Sequence, residues 1–202
     1  MIIAPERHGS DRIIAFSDAV VAIAITILLL PLADLEMPAD GKVTTLFSEN
    51  AAKFGGLTLS WVIIALFWFG HHRLFDSINI VDRPLMWLDF AWLFAIALMP
   101  LPTNIVTEND STSQVVGFYV GWMALISLLM TLMLWHARRA PGIMDPEVVD
   151  SQAGREGWYR SLLITGVFLI VFVIALLMPQ GATWFLLLQL AVDPIAARLA
   201  RR

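Results

Sequence analysis

Three side chains that can do chemistry stand at the opening of one apolar run. Arg12, Ser17 and Asp18 sit in Arg12-Ile-Ile-Ala-Phe16-Ser17-Asp18, which continues as Ala-Val-Val-Ala-Ile23-Ala-Ile-Thr26-Ile-Leu-Leu-Leu30-Pro31. On a helix Asp18 lies about 9 Å beyond Arg12. A carboxylate that deep in an apolar span costs several kcal/mol unless it is paired or hydrated. It marks either a hydrogen bond to a neighbouring helix or a group that senses or conducts charge. At about 100° per residue, Asp18, Ala22, Ile25 and Leu29 form one stripe, while Ile23, Thr26, Ile27 and Leu30 form another. If Asp18 is held by partner helices, the second stripe is left to face something else.

Other candidate groups are sparser. His71 and His72 are adjacent and so point about 100° apart on a helix, and no H-x-x-x-H or H-E-x-x-H spacing accompanies them. A hydrogen-bonding role fits them better than a metal. Asp34, Glu36 and Asp40 follow the first apolar run. They read as a solvated loop, or, repeated around an axis, as an acidic vestibule that concentrates cations. With no Cys, the chain has no disulfide, thiolate metal site or Cys nucleophile. No Ser–His–Asp set, Walker loop or dinucleotide fingerprint is recognisable, so neither an enzyme nor a cofactor is expected. A net charge of −4 offers no basic surface for nucleic acid.

The elements that position these residues follow from composition. In 202 residues, 58% are hydrophobic and 15% charged, against about 45–50% and about 25% in a soluble domain. The bilayer must be the solvent for so much apolar surface. Crossing it takes about 20 residues per helix, and six candidate spans are expected: 13–32, 52–69, 85–101, 115–135, 162–178 and 182–199. The last is the weakest, because Asp193-Pro194 interrupts it. The expected fold is all-α, a single six-helix transmembrane domain over residues 1–202. Residues 138–160 read as a loop that holds a short helix starting at Asp145-Pro146-Glu147, and the Gly117/Gly121 pair of the fourth span reads as close packing within one subunit.

The distribution of basic residues orients the spans. Arg7 and Arg12, Arg73 and Arg83, Arg138, Arg139, Arg155 and Arg160, and Arg198, Arg201 and Arg202 fall on one side. Only Lys42 and Lys53 fall on the other. Both termini are therefore expected in the cytoplasm, which agrees with an even number of spans. A bacterial inner membrane is the expected location, and the first span is too long for a signal core and lacks a cleavage site.

Arg12, Phe16, Ser17 and Asp18 form the R-x-x-x-F-S-D signature that opens the first helix of the TMEM175 family of potassium-permeable channels, and the chain resembles that family beyond it. Ser60-Trp61 through Phe67-Trp68-Phe69-Gly70-His71-His72-Arg73-Leu74-Phe75 is similar to its second helix. Trp87-Leu88-Asp89-Phe90-Ala91-Trp92 through Leu98-Met99-Pro100-Leu101-Pro102-Thr103 is similar to its third. The resemblance implies a homotetramer in the lipid bilayer whose first helices line a pore for potassium and other monovalent cations, without a TVGYG filter. On the positions of this chain it implies an apolar constriction at Ile23, a polar ring at Thr26 and a second apolar ring at Leu30. Such rings gate by dewetting and give modest selectivity. Arg12, Phe16, Ser17 and Asp18 would support that helix, together with His71 or His72 and a Trp of the third span. The competing expectation is a proton-coupled secondary transporter using Asp18 and a His, although the broken, repeated helices usual in such proteins are lacking.

Overall fold

The computed structural model describes residues 8–178 and 192–201, and all regular structure among them is helical. Five helical stretches are long and apolar enough to cross a membrane: Arg12–Leu32, Ala51–Asp76, Arg83–Glu108, Ser113–Arg139 and Gln152–Leu177. Most of the span expected over 182–199 lies outside the described residues. Its end, Val192–Ala200, is a short helix.

Helix α1 (His8–Leu28) stops where proline dictates. Pro31 has no N–H to give to Ile27, and the chain tightens into a 3-10 turn over Leu30–Leu32, with Leu29 N–H bonding to Thr26 O. Leu30 therefore leaves the α-helical phase of Ile23 and Thr26, which corrects the expectation of one unbroken helical stripe. A short helix α2 (Val43–Glu49) leads into α3 (Ala51–Asp76). Helix α3 runs past the expected end at Phe69, so both His71 and Arg73 are helical.

The third span also exceeds its expected boundary. Helix α4 (Arg83–Ala97) starts from Asp82, whose side chain accepts the Leu85 N–H at 2.9 Å, and α5 (Pro100–Glu108) continues it. Pro100 breaks the ladder between them without ending the span. Met99 N–H bonds to Ile96 O instead of Ala95 O, and the indole Nε1–H of Trp122 donates to Ala95 O at 2.9 Å. The freed carbonyl is thus satisfied from a neighbouring helix, as an apolar surrounding requires.

Helix α6 (Ser113–Arg139) is N-capped by Thr112, and α7 (Pro146–Asp150) is the short helix expected after Asp145. Helix α8 (Gln152–Leu177) starts at the Ser151 cap, ten residues before the expected start of its span, so Arg155 and Arg160 are helical and not in a loop. Helix α9 (Val192–Ala200) returns to that end: Asp193 pairs with Arg160 at 2.9 Å, and Ala200 O accepts from Arg155.

Helix α8 packs chiefly on α6. The glycines of α6 explain the closeness, because a Cβ on Gly117 or Gly121 would come within 2.9 Å of the Leu176 or Phe172 side chain. Small hydroxyl side chains also join the pair: Ser127, Thr131, Ser161 and Thr165 are linked at 2.7–2.8 Å. Helix α1 packs against α3, α4 and α5. At one end Lys53 and Glu108 pair at 3.2 Å. At the other, His136 meets Asp82 at 2.8 Å, among the arginines of α6 and α8.

Candidate functional site

One face of α1 is fixed by polar contacts and the opposite face is left open. Ser17 is fully buried, and Val21, Ala24 and Leu28 continue its stripe into the apolar core. The buried face is thus centred on Ser17, one residue and about 100° from Asp18. Ala15, Ala19, Ala22, Ile23 and Thr26 are exposed, with Ile23 at 58% and Leu30 at 61%.

The Ser17 hydroxyl donates to Oδ2 of Asp89 on α4 at 3.2 Å. Oδ1 of the same carboxylate is 2.7 Å from Nε2 of His71 on α3. Both Asp89 and His71 are 1% exposed. The imidazole is stacked between Phe75 and Trp92, with ring centres 4.4 and 4.5 Å away. One carboxylate therefore joins three helices, and the rings on either side of His71 exclude other orientations. Buried hydrogen bonds of this kind set the register of the helices that carry them, although His71 Nδ1 and Trp92 Nε1 are buried without a partner among the described residues.

Asp18 has a separate partner. Its Oδ1 accepts the indole N–H of Trp68 on α3 at 2.7 Å. Phe16 meets Phe90 of α4 edge-on at 6.0 Å. Arg12 lines a crevice of about 340 Å³ with Phe16, Asp89 and Phe90 but makes no ion pair among the described residues. His72 makes no hydrogen bond to this set: its ring packs on Trp68 at 5.4 Å between centres, and its Nε2 is 3.9 Å from Asp76, one turn along α3. So of the candidates on the first three spans, Ser17 and His71 converge on Asp89, while Asp18 is held by Trp68, against which His72 packs.

Spacing does not single out Asp89 or Trp68. Asp89 carries a signal all the same, since it is a solitary carboxylate within an apolar span and needs a partner. The choice between His71 and His72 is also written in α3, because His71 continues the stripe of Leu57, Ser60, Ile64 and Phe67, all buried.

The Thr26 hydroxyl donates to Ile23 O at 2.8 Å, one turn back on its own helix. That engages its proton and leaves the oxygen lone pairs as acceptors. Asp34 and Glu36 are exposed in the connection after α1. In the same connection Asp40 accepts from the backbone N–H of Lys42 at 3.0 Å and from the Thr45 hydroxyl at 2.8 Å, which hold its carboxyl below the ordinary value.

Comparison with known proteins bears on the same region. Residues 12–100 match the family model described as "Endosomal/lysosomal potassium channel TMEM175". A potassium channel of Streptomyces collinus is 34% identical over 155 residues, covering 73% of this chain and 73% of its own length. The endosomal/lysosomal proton channel TMEM175 of Danio rerio is 20% identical over 158 residues, covering 78% of this chain and 30% of the fish protein. The fold is similar to the crystal structure of a lysosomal potassium-selective channel TMEM175 homolog from Chamaesiphon minutus. The TM-score is 0.75 at 20% identity, over 96% of this chain and 100% of that one.

Proposed function

This chain belongs to the TMEM175 family of ion channels, and from that premise we propose that it conducts potassium, with weak selectivity, through a pore lined by α1. The family is one of multi-pass membrane channels, not of enzymes. The observation that carries the proposal is the division of α1 into two faces. Ser17, Val21, Ala24 and Leu28 are held by the rest of the subunit, while Ile23 and Thr26 on the far side are exposed among the described residues. Copies of α1 around an axis would turn that far side inward.

In that arrangement Ile23 is the apolar constriction, Thr26 the neighbouring polar ring and Leu30 a second constriction on the 3-10 turn. A ring of Ile dewets a narrow neck, and a ring of Thr oxygens replaces only a few of the waters around a cation, so discrimination between potassium and sodium is modest. The exposed alanines at 15, 19 and 22 allow close helix approach around the axis. Arg12, Phe16, Ser17, Asp18 and His71 keep the pore helix in register, and Asp34 and Glu36 form an acidic outer vestibule.

We assign the assembly as a homotetramer in the inner cell membrane, with six spans per chain and both termini cytoplasmic. The clustering of Arg73, Arg83, Arg138, Arg155 and Arg160 at one end of the helices supports that orientation. The competing proton-coupled transporter needs Asp18 or a His free to exchange protons. The engagement of Asp18 by Trp68, and of His71 by Asp89 between two aromatic rings, favours the channel. The test is flux from liposomes holding the purified protein under a potassium gradient, with sodium and proton controls. Fast, non-saturating potassium flux supports the channel, whereas saturable uptake that requires a pH gradient would overturn it.

A further inference from the structure

A second cavity, remote from α1, lies where α3, α6 and α8 diverge at the arginine-rich end. Its volume is about 470 Å³. Arg73, Arg138 and Arg160 stand at its mouth with Glu156, and Leu66, Phe67, Met130, Leu134 and Ile164 line its depth. The lining covers residues 66–77 of α3 and its C-cap, 127–138 of α6 and 153–164 of α8, about three turns of each. The polarity is graded along the crevice, with guanidinium groups at the end of the helices and mostly apolar side chains toward their middle, where the hydroxyls of Ser127 and Ser161 are engaged by Thr165 and Thr131.

The mouth keeps positive charge to spare. Arg160 is matched by Asp193 at 2.9 Å and Glu156 at 3.8 Å. Arg138 gives one N–H to the carbonyl of Gly154 at 3.0 Å and lies over Trp158 at 5.6 Å, and the Asp150 carboxylate acts on it electrostatically without a direct ion pair. Arg73 is exposed and has no ion pair among the described residues. Glycine makes part of the room: Gly157 lines the cavity, and a Cβ there would meet nothing within 4 Å.

We propose that this crevice binds one anionic phospholipid, with its phosphodiester between Arg73 and Arg138 and an acyl chain lying against Phe67, Met130 and Ile164. The charge grading is what selects the occupant. A guanidinium fork pairs well with a phosphate oxygen pair, the wall below it is mostly apolar and suits hydrocarbon, and a membrane supplies both in one molecule. A basic pocket between helices at one membrane face is the chemistry that recognises anionic headgroups.

The test uses the purified full-length protein in detergent, with bound lipids counted by native mass spectrometry after adding phosphatidylglycerol or phosphatidylcholine of the same acyl chains. The wild type should retain phosphatidylglycerol in clear preference. Arg73→Gln should weaken that retention about fivefold, the usual effect of one basic residue near a headgroup, and Gly157→Phe should abolish it by filling the crevice. Melting temperatures close to the wild type show that the variants are folded, and if Arg73→Gln is not, Gly157→Phe decides alone. Equal retention of the two lipids, or retention untouched by Gly157→Phe, would overturn the proposal. Displacement of the lipid by inorganic phosphate would overturn it too, by assigning the mouth to a free anion.

Discussion

Thr26 lies on the opposite side of α1 from Ser17: the two are nine residues apart on one helix, about 180° around its axis, and Ser17 is buried where Thr26 is exposed. The hydroxyl that anchors the helix to Asp89 thus faces away from the hydroxyl assigned to the ions. Anchoring and conduction are separable on this helix, and substitutions can address them one at a time.

At Ile23, replacement by Asn should hydrate the neck and raise potassium flux in liposomes, with little change in melting temperature. The adjacent Ala24 is 3% exposed. Ala24→Asn places an unpartnered amide in the core and should cost about 1–3 kcal/mol of stability. Equal flux in wild type and Ile23→Asn would remove Ile23 from the constriction.

Breaking the anchor should act on stability first. Ser17→Ala leaves Oδ2 of Asp89 without its donor, at about 1–3 kcal/mol, and Asp89→Ala removes the partners of both Ser17 and His71 and should cost more. Because Ser17 and His71 share the Asp89 carboxylate, the Ser17→Ala/Asp89→Ala double variant should lose less than the sum of the single losses, by about 0.5–3 kcal/mol. Melting curves in detergent check this, and strictly additive losses would show that the contacts are independent.

The Gly117/Gly121 pair serves contact between α6 and α8 of one subunit. Gly121→Leu drives a side chain into the Phe172 ring and should destabilise by about 1–3 kcal/mol, as overpacking does. The oligomeric state, measured by light scattering in detergent, should stay that of the wild type. Dissociation of the assembly at unchanged melting temperature would place these glycines between subunits instead.

Asp82 ties the start of α4 to the end of α6. Burial raises its carboxyl, but the Leu85 N–H and His136 outweigh burial and leave it below the ordinary value. A lowered value in the fold means a stabilisation that is complete above the unfolded value of about 3.9 and is lost as pH falls through the folded one. Asp82→Asn keeps the cap and removes the charge. The stability gap between wild type and Asp82→Asn should therefore be widest near neutral pH and close below about pH 4. The gap is small, since the carboxylate is partly exposed. A gap that grows with acid would contradict this reading.

How far the sequence discloses the structure depends on which force decides each feature. Span number and direction rest on hydropathy and Arg placement, and among the described residues Arg73, Arg83, Arg138, Arg155 and Arg160 stand toward one end of the helices. Span ends rest on local chemistry, and two prolines differ there. At Pro31 no neighbour among the described residues compensates for the missing N–H and α1 ends, whereas Pro100 sits inside a continuing span in which Trp122 satisfies the carbonyl left open. Nothing in the sequence around Pro100 announces a donor to Ala95 O from 27 residues beyond that alanine. The site divides similarly. The polar groups on α1 are visible as exceptions in an apolar run, but which residue centres the buried face depends on packing, and that face proves to be centred on Ser17 and not on Asp18. Asp89 and His71 find each other across two helices, a pairing no local spacing encodes.

The central claim is that the Ile23–Thr26 face of α1 lines the pore. The chain contains no Cys, so single cysteines can be read without background. Ile23→Cys, Thr26→Cys and, as a control exposed on α8 away from α1, Ile170→Cys should be reconstituted and treated with a charged, water-soluble methanethiosulfonate during potassium flux. Flux should fall in the Ile23 and Thr26 variants and persist in the Ile170 variant and the wild type. Undiminished flux through both α1 variants, with their thiols shown to be unreacted, would contradict it.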